Sequence, residues 1–175
     1  MFTLKHKLAL NFIFFLLITN SVHAEQSCSS NMERSNSLNQ FQDNGNGTIS
    51  DQKTHLMWQK CPIGQTGNDC SGEPEVLTWL NALNKAVTLN NNNYANYSDW
   101  RMPNMKELST LVERSCMYPA INLENFPNTG GYQLFWTSTT LIGNPGSVIG
   151  ISFTFGTPEA ASKTSTRSLR LVRNL

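Results

Sequence analysis

The side chains in this 175-residue sequence with chemistry to offer are four cysteines, three histidines, scattered carboxylates and a cluster of cations near the C-terminus. Two of the histidines, His6 and His23, fall in the first 24 residues, which read as a signal peptide, so His55 is the histidine left to work with. A His-rich zinc site is thereby excluded, and a Ser-His-Asp triad would have to rest on His55 alone. Asp99, Glu107, Glu113 and Glu124 could supply acid/base catalysis, but their spacing singles out no pair at glycosidase separation. Ser138 has no identifiable base. The expectation is a protein that is not an enzyme and has no cofactor and no metal site.

Binding chemistry is better represented. Lys163, Arg167, Arg170 and Arg173 make a basic stretch in an otherwise near-neutral chain. One reading is a solvated face with an edge strand protected by charge. The other is a patch for the sulfate or carboxylate groups of a polyanionic glycan, which arginine binds through paired hydrogen bonds. Tyr94, Tyr97, Tyr118 and Tyr132 lie in loop-like context, and Tyr94, Tyr97 and Tyr132 are the candidate contacts beside those cations. Trp58, Trp79, Trp100 and Trp136 could stack on sugars, but three of them sit in apolar patterns and read as core. Arg101 reads as a structural residue reaching a carboxylate or carbonyl, with ligand contact the alternative.

All four cysteines, Cys28, Cys61, Cys70 and Cys116, lie beyond residue 24, and an even count in an oxidising compartment reads as two disulfides. Three connectivities are possible. A Cys61–Cys70 pair would close the polar stretch between them and leave Cys28–Cys116 to tie the N-terminal lead-in to the body. The signal peptide itself has Lys5 and Lys7, then the apolar run Leu8–Thr19, then Val22-His23-Ala24 as a cleavage site. That run is shorter than the ~20 residues a membrane-spanning helix needs. Cleavage removes two lysines and no acid, so the formal +1 of the whole chain becomes a slight negative excess. Such a charge argues against a general nucleic-acid binder. Residues 25–175 are expected to form one exported domain, periplasmic, extracellular or attached to the cell surface.

Elements must position these side chains. Phe41–Asp51 contains Asn44-Gly45-Asn46-Gly47, with the chemistry of a hairpin turn. An EF-hand fails there, because Gln42 and Lys53 occupy the first and twelfth ligand positions. Thr54–Lys60 reads as a strand. Glu75–Leu89 reads as a helix with Val76, Trp79, Leu80, Leu83 and Val87 on its apolar face. A second helix begins at Asn104, with Glu107 completing a capping box and Met105, Leu108, Leu111 and Val112 facing the core. Phe135–Ser138, the alternating Ile149, Ile151, Phe153 and Phe155, and Ser168–Arg173 read as strands. In the last of these Leu169 and Leu171 face one way, Arg170 and Val172 the other. The fold expected is α+β, two helices on an antiparallel sheet in which both chain ends meet.

Phe41–Asp51, Leu56–Cys61, Trp100–Leu108, Cys116–Asn122, Phe126–Thr129, Phe135–Thr139 and Leu169–Arg173, in that order, carry a resemblance. From about Cys28 to Arg173 the sequence resembles the Lcl C-terminal domain family of bacterial exported domains, named after a collagen-like adhesin. The resemblance implies a fold similar to C-type lectins and to the formylglycine-generating enzymes, and a glycan or cell-surface partner, including sulfated glycosaminoglycans. It also implies a trimer, though the collagen-like stalk is missing from this sequence. Where the family usually has Gly before Leu-Met-Trp, this chain has His55; its usual Gly-Asp-Gly has Asn46 in the middle, and its usual Leu-Pro-Thr is Met102-Pro103-Asn104. The calcium motifs of sugar-binding C-type lectins and a reduced cysteine pair for formylglycine chemistry are absent. The function expected is a non-enzymatic, adhesion-type module; the alternative is a structural component of a surface or pilus-like assembly with protein partners.

Overall fold

The computed structural model describes residues 25–37 and 39–175; the expected signal peptide lies outside them. In chain order the strands and helices are β1 (Ser27–Cys28), β2 (Phe41–Asp43), β3 (Thr48–Asp51), β4 (Leu56–Gln59), α1 (Trp79–Asn91), α2 (Met105–Ser109), β5 (Cys116–Met117), β6 (Leu134–Phe135), β7 (Thr140–Leu141), β8 (Asn144–Ser152), β9 (Thr157–Ser162) and β10 (Val172–Asn174). The fold is α+β, and every strand pair in its sheets is antiparallel.

One sheet has the order β10-β4-β3-β2, so the C-terminal strand joins the N-terminal hairpin in one sheet, while β1 stands outside it. Its β2–β3 turn is the expected one: Gly45 and Gly47 adopt φ of 73° and 84°, which other residues reach only with strain. Asn44 N–H closes the turn on the Thr48 carbonyl at 3.0 Å. Between β3 and β4, His55 also stands at positive φ, 56°. That is the backbone reason a glycine suits this position, and a histidine holds it here with some strain. A second sheet has β8 at its centre, flanked by β6 and β7 and paired along six residues with β9. The separate β1–β5 pair sets Cys28 opposite Cys116.

Both disulfides of the favoured pairing are present, Cys28–Cys116 and Cys61–Cys70. The first bridges a separation of 88 residues and anchors the N-terminal lead-in. Glu113 reinforces that anchor. Its buried carboxylate accepts hydrogen bonds from the N–H groups of Ser35 (2.9 Å), Asn36 (3.2 Å) and Ser115 (3.0 Å), and from the Ser115 hydroxyl (2.7 Å).

Helix α2 starts as expected but ends at Ser109, so Leu111 and Val112, expected on its apolar face, lie beyond it. The Asn104 side chain accepts from Glu107 N–H and the Glu107 side chain from Asn104 N–H, completing the capping box, while Leu108, Leu111 and Val112 are buried. Helix α1 corrects the sequence reading twice. It starts at Trp79, capped by Thr78, because the preceding residues run extended: Leu77 exchanges two 2.9 Å backbone hydrogen bonds with Arg167. Its inward face is also only partly the expected one. Trp79 and Leu83 pack against the core as expected, but the fully buried residues are Ala82 and Ala86, whose small side chains allow the helix a close approach, and Val76, Leu80 and Val87 are exposed. Of the expected strand Phe135–Ser138 only Phe135 is strand, as the end of β6, and Phe155 lies past the end of β8, exposed.

The core has two clusters. One is centred on Ile49, Trp58, Leu108, Phe126 and Phe153, the other on Met57, Ala82, Trp100, Trp136 and Val148. Residues 169–172 run between them. Leu169 and Leu171 belong to the second cluster and Val172 to the first, so the expected alternation holds with both faces buried.

Candidate functional site

The four cations of the basic stretch do not converge. Arg170 is fully buried. It donates from Nη1 to the Gln59 carbonyl at 3.0 Å and to the Lys60 carbonyl, and from Nη2 to Thr129 Oγ1 at 2.8 Å. Its guanidinium lies 4.8 Å from the centroid of Phe126. Burial pushes its pKa down to about 9, far enough above neutrality to leave it charged. The expectations of Arg170 as a surface contact and of a strand over Ser168–Arg173 are therefore corrected: β10 begins only at Val172, and Arg170, just ahead of it, keeps the alternation of residues 169–172 but points into the first core cluster, against Phe126. Arg173 is turned to Asp99, with Nε 2.7 Å from Oδ1, and covers the Tyr97 ring at 4.0 Å. Its hydrogen bond holds the Asp99 carboxyl below the usual range. Lys163 sits 4.6 Å over the Trp79 ring. Arg167 forms no ion pair among the described residues, and its guanidinium bonds only the adjacent Thr166 carbonyl, at 2.6 Å.

The tyrosines separate in the same way. Tyr94 and Tyr97 pack edge-on against the buried Trp100, with centroids 5.7 and 6.2 Å away. Burial raises the Tyr94 pKa. Tyr132 alone of the three presents its ring, 73% exposed. Arg101 takes the structural role, donating to both Glu107 oxygens at 2.8 Å. With Asp99, Glu107 and Glu113 each engaged, three of the four carboxylates considered for acid/base work have partners within the fold. No group of His, Cys, Asp and Glu suited to a metal ion occurs among the described residues.

Tyr132 and Gln133 mark a divided groove. On one side lies a depression of about 640 Å³ lined by Gln26, Gln65, Asn128 and Thr129, with Glu25 and Glu73 also on its wall. On the other lies one of about 340 Å³ lined by Val76, Glu159, Arg167 and Ser168. Two of the expected residues, Tyr132 and Arg167, thus meet at one place.

The walls are held from behind. The Cys61–Cys70 loop delivers Gln65, whose Nε2 donates to Gly72 O at 3.0 Å and Asn128 O at 3.4 Å. Asn128, at φ 50°, returns a bond from Nδ2 to Cys70 O at 2.8 Å, so the two loops clasp each other. Arg170 stitches Thr129 to the end of β4 beneath them. Tyr132 leans on Tyr118 (5.6 Å between centroids), which in turn meets Phe155 at 5.1 Å. Sequence reasoning missed Gln65, Asn128 and Gln133. Amides in loops carry no periodic signal, and the one hint was the disulfide loop around Gln65.

A disulfide-stapled α+β domain whose C-terminal strand closes the sheet of β2, β3 and β4, carrying a groove between loops, is what the chain folds into. A model of the Lcl C-terminal domain matches residues 47–173, and the chain belongs to that family. The match starts in the β2–β3 turn, so β1, β2 and Cys28 precede it. No curated protein matches the sequence. No helix among the described residues is long and apolar enough to cross a membrane.

Proposed function

We propose that the protein is an exported, non-enzymatic recognition module that binds glycans at the groove beside Tyr132. The observation that carries this reading is an aromatic ring, 73% exposed, fixed between two polar depressions on a well-braced floor. An exposed aromatic face receives the C–H face of a sugar ring, and convergent polar groups fix its hydroxyls. Export is supported by the charged, apolar and small-residue order of residues 1–24 and by the two disulfides. The finer reading, a sulfated glycosaminoglycan held by the basic stretch, loses two of its four cations: Arg170 to the core and Arg173 to Asp99.

Printed glycan arrays with the full mature chain and its Tyr132→Ala variant test the reading. Retention on at least one glycan class, weakened tenfold or more by the substitution, is expected. Equal retention of both proteins would move the site elsewhere, and no retention would remove the function. The exposed Val76, Leu80 and Val87 favour a second reading, a protein-binding component of a surface assembly, trimeric or otherwise. Stoichiometric capture of a protein partner from envelope extracts by the wild type, lost in Leu80→Asp, would favour it.

A further inference from the structure

We infer that Asn46 is a site of spontaneous covalent modification, converted to aspartyl and isoaspartyl residues by attack of the Gly47 main-chain nitrogen, while Asn44 in the same turn is protected. The sequence has two Asn-Gly pairs, Asn44-Gly45 and Asn46-Gly47, and both lie between β2 and β3. A glycine after asparagine leaves the attacking nitrogen unshielded by a side chain, so by sequence the two pairs are equal. Their surroundings make them unequal.

Asn44 is pinned. Its Nδ2 donates to Thr48 Oγ1 (2.9 Å) and to Ser50 Oγ (3.0 Å), two buried hydroxyls. The nitrogen that would attack it is engaged as well, since Gly45 N–H donates to Asp43 Oδ1 at 2.9 Å. Removing that proton would set an amide anion against a carboxylate that its hydrogen bond from Lys60 keeps ionised. Asn46 is exposed, and the tip of the turn stands clear of the body, because a Cβ added at Gly45 would meet nothing. Gly47 N–H has no acceptor among the described residues. The Asn46 side chain receives one hydrogen bond there, from Thr48 Oγ1, 2.6 Å from its Oδ1. A hydroxyl has a single hydrogen, and the Asn44 amide already fills an acceptor site of Thr48, so that hydrogen is committed to Asn46. It stabilises the oxyanion that forms when Cγ is attacked. One buried hydroxyl thus restrains the first asparagine and activates the second.

Hydroxide takes the Gly47 N–H proton, the nitrogen bonds to Asn46 Cγ, and the Cγ–Nδ2 bond breaks as Nδ2 takes a proton from water and leaves as ammonia. Water then opens the resulting succinimide at either carbonyl, giving aspartate or isoaspartate. The sum consumes one water and releases one ammonia, with no oxidant or reductant. Either product adds a negative charge to the turn. Isoaspartate also adds a methylene to the main chain just before Gly47, whose carbonyl accepts from Lys60 N–H (2.9 Å) and the Tyr94 hydroxyl (3.3 Å). The change is therefore delivered to the end of β4 and to a ring packed on Trp100.

The experiment incubates the disulfide-bonded mature chain at mildly alkaline pH in ¹⁸O-water, which labels each new carboxyl, beside a guanidinium-unfolded sample of the same chain. Peptide mass spectrometry with fragmentation separates positions 44 and 46, and aspartate from isoaspartate. Expected is labelling at Asn46 at least tenfold faster than at Asn44 in the folded protein, and rates within twofold of each other in the unfolded chain. Thr48→Val should slow Asn46 and speed Asn44, each threefold or more. Ser50→Ala, which leaves the Thr48 contact to Asn46 in place, should speed Asn44 alone. Melting curves show whether each variant is folded; if Thr48→Val is not, Ser50→Ala and the wild-type comparison decide. Equal labelling of the two positions in the folded protein, or faster labelling at Asn44, would overturn the inference. So would an unlabelled Asn46 by the time the unfolded chain is converted, or a tenfold difference already present in the unfolded chain. Unchanged rates in a folded Thr48→Val would overturn the role given to its hydroxyl.

Discussion

Arg170 offers the sharpest test of how this domain is held together, because a fully buried guanidinium without a carboxylate partner among the described residues lies between two cores. Truncation to Ala removes the donors of the Gln59 and Lys60 carbonyls and of Thr129 Oγ1, which keeps its own bond to the Phe126 carbonyl. At about 1–3 kcal/mol for each stranded group that is the dominant loss, and the cavity adds about 2 kcal/mol. Release of an ion from the interior offsets several kcal/mol of this. The net expected for Arg170→Ala is a loss of about 3–5 kcal/mol, or about 10 °C in Tm for a domain of this size. Arg170→Lys keeps the charge but replaces a planar fork by a compact ammonium that cannot span the same acceptors, and should cost about 2–4 kcal/mol. Urea titrations under non-reducing conditions, followed by the fluorescence of the buried Trp58, Trp100 and Trp136, read both values. A Lys variant within 0.5 kcal/mol of wild type would show that charge, and not the fork, is what matters. An Ala variant that loses less than 1 kcal/mol would refute the placement itself.

Two further outcomes follow from the same packing. Burial pushes the Glu113 carboxyl up, but bonds from the Ser35, Ser115 and Asn36 backbone and the Ser115 hydroxyl outweigh it and hold the pKa below the usual glutamate value. The stability this carboxylate contributes is present above about pH 4.5 and is lost as pH falls through the lowered value; Glu113→Gln should cost about 1–3 kcal/mol at pH 7 and flatten the acid decline, checked by urea titrations from pH 3 to 7. Gly156 sits at φ 71°, and a Cβ there would meet Val112 Cγ1, so Gly156→Ala should cost about 2–5 kcal/mol by the same denaturation; a Tm within 2 °C of wild type would contradict it.

The elements most legible in the sequence were those whose signal is local chemistry. Asn104 and Glu107 form a capping box because their spacing is that of one helical turn, and Gly45 and Gly47 turn because they tolerate positive φ. The disulfide around residues 61–70 was legible for a similar reason: little else could order that loop. Signals that depend on what lies opposite were not. Ala82 and Ala86 carry the buried face of α1, yet pattern reading weights large residues and so chose Leu80 and Val87. Strand β9, Thr157–Ser162, contains Pro158 and Glu159 and has no β-branched run; it exists because β8 pairs with it along its whole length. The site was half legible. Tyr132 and Arg167 could be picked by type, but Gln65 and Gln133 are brought to the same wall only by the clasped loops.

The passage of residues 169–172 between the two clusters also governs when the protein can fold. Leu169 and Leu171 complete one cluster, Val172 completes the other, and β10 closes the sheet begun by β2 and β3. A nascent chain emerging at about 5–20 residues per second therefore holds both cores open until this segment has been made. Neither cluster can be completed before these last residues are available. Under the export proposed above, that timing would suit a chain handed unfolded through a narrow membrane pore, its cysteines meeting an oxidant on the far side.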